Sequence, residues 1–136
     1  MLISMAPTPA KALPKPTDSE LELLRVLWKL GPATVRQVHE SQDPAKTSGY
    51  TTTLKLMQIM AEKGLVQRDE SAKAHLYSAT LTEQHARKRM VGELVDRLFA
   101  GSTTQLVLHA LANRKSSPKE LEEIRELLGK YEGERS

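Results

Sequence analysis

The sequence predicts a mainly α protein with one small β-hairpin: a winged helix-turn-helix followed by a three-helix C-terminal dimerisation module. Three observations predict it. Capping boxes at Thr17–Glu20 and Thr34–Gln37 stand ahead of an apolar stripe that stops at Lys63-Gly64. Two short strand-like runs around a polar loop follow at once. The remainder returns to helical spacing with two further capped starts.

Residues 1–16 carry four prolines and read as a disordered arm. Thr17 caps the first helix, Leu21, Leu24, Leu27 and Trp28 line it, and Gly31-Pro32 ends it. Thr34 opens a short second helix with Val35 and Val38 on its apolar face, fading near Gln42. After a loop with Asp43 and Pro44, Ser48 is the expected N-cap of a third helix to about Glu62, striped by Leu54, Met57, Met60 and Ala61. Two helices joined this way give a helix-turn-helix. Leu65–Arg68 and His75–Ser78 are the expected strands of the wing, and residues 17–80 form one domain.

From Thr80 the period is helical again. Ala86, Met90, Leu94, Val95 and Leu98 share a face that ends at Gly101. Ser102 with Gln105 starts a helix carrying Leu106, Leu108 and Leu111. Ser117, Pro118 and Glu120 start the last, lined by Leu121, Ile124 and Leu128, with Gly129 as its expected stop and 132–136 as a disordered tail. About 50 residues make a marginal core alone. Residues 81–131 are therefore expected to bury these apolar side chains against a second copy; the alternative is packing onto the chain's own winged helix.

Composition narrows the chemistry. There is no cysteine, so disulfides, thiol nucleophiles and thiolate metal sites are excluded. No apolar run reaches the ~20 residues of a membrane span, and Met1–Met5 is too short for a signal-peptide core; a cytoplasmic protein without direct membrane binding is expected. His39, His75, His85 and His109 are scattered, and no metal or cofactor motif is found. An enzyme is not expected. Net charge is +3, but residues 17–81 balance eight basic against eight acidic side chains. Charge alone does not identify a polyanionic partner; arrangement must.

The informative stretch is Lys46-Thr47-Ser48-Gly49-Tyr50-Thr51-Thr52-Thr53-Leu54-Lys55. It holds two lysines, five aliphatic hydroxyls, one phenol and no acid. Threonine is a poor helix former, so four around a helix start need a reason. Capping is one. Contact with double-stranded DNA is the other: helix N-terminal amides and short hydroxyls suit phosphate, and threonine methyls suit thymine. Lys46, Ser48, Tyr50, Thr51, Thr52 and Lys55 are the candidate contacts on this stretch. Arg36 at the second helix and Lys73 at the wing tip are candidate phosphate contacts.

These residues resemble the BlaI/MecI/CopY family of penicillinase-repressor-type winged-helix regulators. Thr17-Asp18-Ser19-Glu20-Leu21-Glu22, Val26-Leu27-Trp28, Tyr50-Thr51-Thr52-Thr53-Leu54, Glu62-Lys63-Gly64-Leu65-Val66 and the wing ending at Tyr77 carry the likeness. It extends over about residues 17–130, including Gln105-Leu106-Val107-Leu108. It implies a homodimeric repressor on a palindromic operator, with Tyr50, Thr51, Thr52 and Lys55 on the recognition helix. The family often has arginine where this chain has Ile59, and Gly-Arg where it has Ala72-Lys73. Its copper-responsive branch uses C-terminal cysteines that this chain lacks. Its antibiotic-responsive branch is cut by a membrane-bound sensor metalloprotease at an Asn-Phe bond; the matching place here is His109-Ala110, so release is expected by proteolysis there or by another signal. The competing readings are a regulator with a small-molecule effector and a winged helix used only for protein–protein contact.

Overall fold

The computed structural model describes residues 13–45 and 49–135. The Ser48 cap and most of the expected arm lie outside the described residues. The chain forms two compact units, Met1–Val91 and Gly92–Ser136, which part inside a helix rather than at the expected 80/81 boundary.

The first unit contains α1 (Asp18–Leu30), α2 (Val35–Glu40), α3 (Tyr50–Lys63), β1 (Val66–Asp69), β2 (Leu76–Ala79) and the opening turns of α4 (Glu83–Leu98). Both capping boxes form. Thr17 Oγ1 accepts from Glu20 N–H while Glu20 Oε1 accepts from Thr17 N–H; Thr34 and Gln37 repeat the exchange. Gly31 ends α1 and Gly64, at φ +84°, ends α3, a left-handed position that suits glycine. The cap of α3 is Gly49.

Leu23, Leu24 and Leu27 of α1, Val38 of α2, Met57 and Met60 of α3, and Val66 and Tyr77 of the hairpin form one core. Leu23, absent from the expected stripe, joins it because α1 presents a broad face with two adjacent leucines inward. β1 and β2 pair antiparallel with Arg68 opposite Tyr77, each strand one residue later than expected. A third short piece completes the sheet: Ala33 and Tyr77 exchange backbone bonds of 2.9 and 2.7 Å. Trp28 Nε1 donates to Leu81 O at 2.9 Å and fixes the exit from the hairpin.

The arm is tied down earlier than its composition suggests. Leu13 is buried, its Cδ2 lies against Gly64, and Arg89 of α4 donates to its carbonyl. Apolar burial of one leucine outweighs the proline-rich context.

The second unit contains the rest of α4, α5 (Thr103–Asn113) and α6 (Pro118–Arg135). Ser102 and Ser117 cap α5 and α6 by accepting from Gln105 and Glu120 N–H. Gly129 does not stop α6, which continues through Gly133 to Arg135, so 132–135 are helical rather than a disordered tail. A helical glycine costs only ~1 kcal/mol against alanine, and the flanking Glu, Leu and Lys residues favour continuation. Leu94, Leu98, Leu108, Leu111, Leu121 and Leu128 are exposed, Met90, Val95, Leu106 and Ile124 are half-buried, and α5 buries no residue.

Two features predict stability changes. Glu20 is 2% exposed and accepts from Lys63 Nζ at 2.7 Å, tying α1 to the end of α3. Burial pushes its carboxyl up, but the Lys63 ammonium and the Thr17 bonds outweigh this and hold it below its ordinary value. A native value below the unfolded one adds stability above the unfolded pKa, lost as pH falls through the native one. Urea melts should show a loss on acidification below about pH 4 that Glu20→Gln lacks; parallel curves for the two would be the wrong outcome. Lys63→Ala should cost about 2 kcal/mol at neutral pH, less than for a fully buried pair because Lys63 stays partly in water. In the second unit Ala100 sits at φ +50°. Ala100→Gly should raise stability by about 0.5–1 kcal/mol, visible as a higher thermal midpoint.

Candidate nucleic-acid interface

The face of α3 opposite the core is built by periodicity. Thr53, Met57 and Met60 point inward, which turns Thr51, Thr52, Lys55 and Gln58 outward. Tyr50, the first residue of α3, stands at one edge of this face and is exposed. Gly49 has no side chain with which to cap the helix, unlike Thr17, Thr34, Ser102 and Ser117. No acid lies between Pro44 and Ala61.

A groove of about 440 Å³ runs between this helix and the wing. Arg36, Tyr50, Leu54 and Gln58 line one side; Arg68, Lys73 and His75 line the other. Four cationic or ionisable donors thus face one channel from α2, β1 and the hairpin loop. Two are partly offset: Arg36 lies 4.0 Å from Glu40 and Arg68 lies 2.6 Å from Glu70. These exposed pairs are weak and exchangeable. Lys55 and Lys73 have no ion pair among the described residues.

Of the sequence candidates, Arg36, Tyr50 and Lys73 meet at the groove, and Thr51, Thr52 and Lys55 share the adjoining face. Lys46 and Ser48 lie outside the described residues. Arg36 also stacks over Tyr50, with Cζ 5.1 Å from the ring centroid. Sequence reasoning missed Gln58, Arg68 and His75. Gln58 was findable, because it lies seven residues after Thr51 on the same helical face. Arg68 and His75 carried no local signal; the register of the hairpin brings them across from α2. Among the described residues no three His, Asp or Glu side chains are grouped to hold a metal, and no helix is long and apolar enough to cross a membrane.

Helix-turn-helix, wing, basic groove and helical extension together define the winged-helix class of transcriptional regulator. Comparison with known proteins is more specific. The penicillinase repressor family model matches residues 16–130. BlaI, a transcriptional regulator of Mycobacterium tuberculosis, is 34% identical over 98 residues, 68% of each chain. The penicillinase repressor of Bacillus licheniformis is 22% identical over 121 residues, 89% of this chain and 94% of the relative. The methicillin resistance regulatory protein MecI of Staphylococcus aureus is 22% identical over 114 residues, 84% and 93% of the two chains. A solved structure, the monomeric form of B. licheniformis BlaI in complex with the blaP half-operator, matches with a TM-score of 0.45 at 23% identity. That match covers 53% of this chain and 88% of the other. The chain belongs to the penicillinase repressor family, which consists of transcriptional repressors and not of enzymes.

Proposed function

We propose that the protein is a homodimeric repressor that binds a palindromic operator in double-stranded DNA. The observation that carries this reading is the acid-free outer face of α3, beside a groove lined by Arg36, Arg68 and Lys73. In this reading the first turns of α3 enter the major groove. Thr51 and Thr52 offer hydroxyls and methyls to base edges and sugar-phosphate, Tyr50 and Gln58 flank them, and Lys55 reaches phosphate. The wing lays Lys73 along the backbone.

The dimer is inferred from the second unit. Leu94, Leu98, Leu108, Leu111, Leu121 and Leu128 are too much apolar surface to leave in water on 45 residues. A two-fold dimer places two α3 helices about one DNA turn apart, ~34 Å, which demands a two-fold site. Release at His109-Ala110, by a membrane-bound sensor metalloprotease or through another signal acting on α5, completes the reading. Both residues are exposed and α5 buries no residue by itself; in this reading its burial comes from the partner copy, so a break there undoes the dimer.

Fluorescence-anisotropy titration tests the DNA reading, using the protein's own promoter region and a shuffled duplex at two salt concentrations. A preference of several hundredfold that falls steeply with salt is expected. Equal, weak binding to both duplexes would sink it. Lys55→Ala should weaken binding to both and lower the salt slope by about 0.9. Leu111→Asp should give a monomer by sedimentation velocity and lose tight operator binding. A monomeric variant that still binds tightly would separate dimerisation from DNA affinity.

A further inference from the structure

Tyr50 is held from α2. The His39 ring meets it edge-on, with centroids 5.7 Å apart and planes at 84°. Arg36, one helical turn earlier, covers its face. His39 is itself fixed by a buried hydroxyl. Thr53 is 2% exposed; Gln42 Nε2 donates to its Oγ1 at 3.0 Å, and His39 Nδ1 lies 3.0 Å from the same oxygen. With Gln42 occupying one lone pair, the hydroxyl satisfies all three groups by donating to Nδ1. That leaves the ring proton of neutral His39 on Nε2. A buried threonine hydroxyl on the inner face of α3 is costly unless bonded in this way.

We propose that His39 is a positioning residue for Tyr50, and through it for the DNA-reading end of α3. This rests on the reading of α3 given above. Gln42 and Thr53 lock the imidazole. The imidazole edge and the Arg36 guanidinium then restrict the two torsions of an exposed tyrosine at the start of a helix that has no side-chain cap at Gly49. A tyrosine restricted before binding presents its phenol at less entropic cost. His39 thereby affects sequence discrimination without adding a charge contact to phosphate.

The test is a double-mutant cycle read on promoter and shuffled duplexes, with His39→Leu, Tyr50→Ala and the double variant. His39→Leu should lower the preference for the promoter duplex about five- to tenfold, the order that an edge-to-face ring contact supports. Affinity for the shuffled duplex and the salt slope should not change. In the Tyr50→Ala background it should cost nothing further. His39→Phe, which keeps a ring edge, should recover most of the loss. NMR of the free protein reads the clasp directly: His39 should show the Nε2–H tautomer, and the Tyr50 ring signals should move toward random-coil positions in His39→Leu. Thr53→Ser, which keeps the hydroxyl, should preserve both signals if His39→Leu does not fold, whereas Thr53→Val should lose the tautomer preference. Losses that add in the double variant, or equal losses on both duplexes, overturn the proposal while the DNA reading stands. A wild type without preference between duplexes overturns the DNA reading and the proposal with it.

Discussion

The backbone exchange between Ala33 and Tyr77 is the constraint on which the interface depends. A two-stranded hairpin with four residues per strand is marginal in water. Here its second strand is paired on both edges, by β1 on one side and by Ala33 on the other. Ala33 lies between α1 and α2, so the same two bonds fix the wing and the entry to the helix-turn-helix. Tyr77 adds its ring to the core. The register then follows: Arg68 stands opposite Tyr77, and the loop beyond it carries Lys73 toward the groove. Without the Ala33 pairing the groove would have one wall.

α3 must satisfy two opposed demands. Its inner face has to bury Met57 and Met60, and its outer face has to stay polar and free of acid. The threonines reconcile them. Thr53 goes inward and is bonded from α2, while Thr51 and Thr52 go outward. The helix is not stabilised by its own composition, since β-branched residues crowd its first turn. It is held at its far end instead, where Lys63 reaches buried Glu20 and Gly64 turns the chain into the wing. Stability is thus concentrated at the end away from the outer threonines, leaving the first turn to be placed by side chains of α2.

What was legible in the sequence were the features that act within four residues. Thr17, Thr34, Ser102 and Ser117 cap where expected, because each pairs with its own N3 residue whatever the tertiary context. The outer face of α3 followed from helical period alone. What was not legible depends on distant partners. Leu13 is ordered by Gly64 and Arg89, some fifty and seventy-six positions away. Arg68 and His75 reach the groove through a strand register that the period-two pattern does not fix in so short a hairpin. Gly129 looked like a stop because glycine favours the left-handed cap, yet nothing in α6 asks for a turn there. The groove was half readable: its α3 wall lay in the sequence, and its wing wall lay in the topology.

The two units bear on each other through mass action. The first has a core of buried leucine, valine and methionine within one protomer, so its fold does not require a partner. The second leaves most of its leucines exposed and buries no residue of α5. In the proposed dimer the helices of that unit gain their burial only on association, so their stability rises with protomer concentration, as for any state favoured by binding. In that proposed assembly, operator DNA holding two copies side by side would raise the effective concentration of each second unit for the other. DNA binding and helix burial then reinforce one another by the same free energy in both directions. Such a repressor needs no effector pocket to be switched. In the proposed dimer, a single event that removes burial from α5 would lower the affinity of both α3 helices for DNA, although nothing at either DNA-facing surface would have changed.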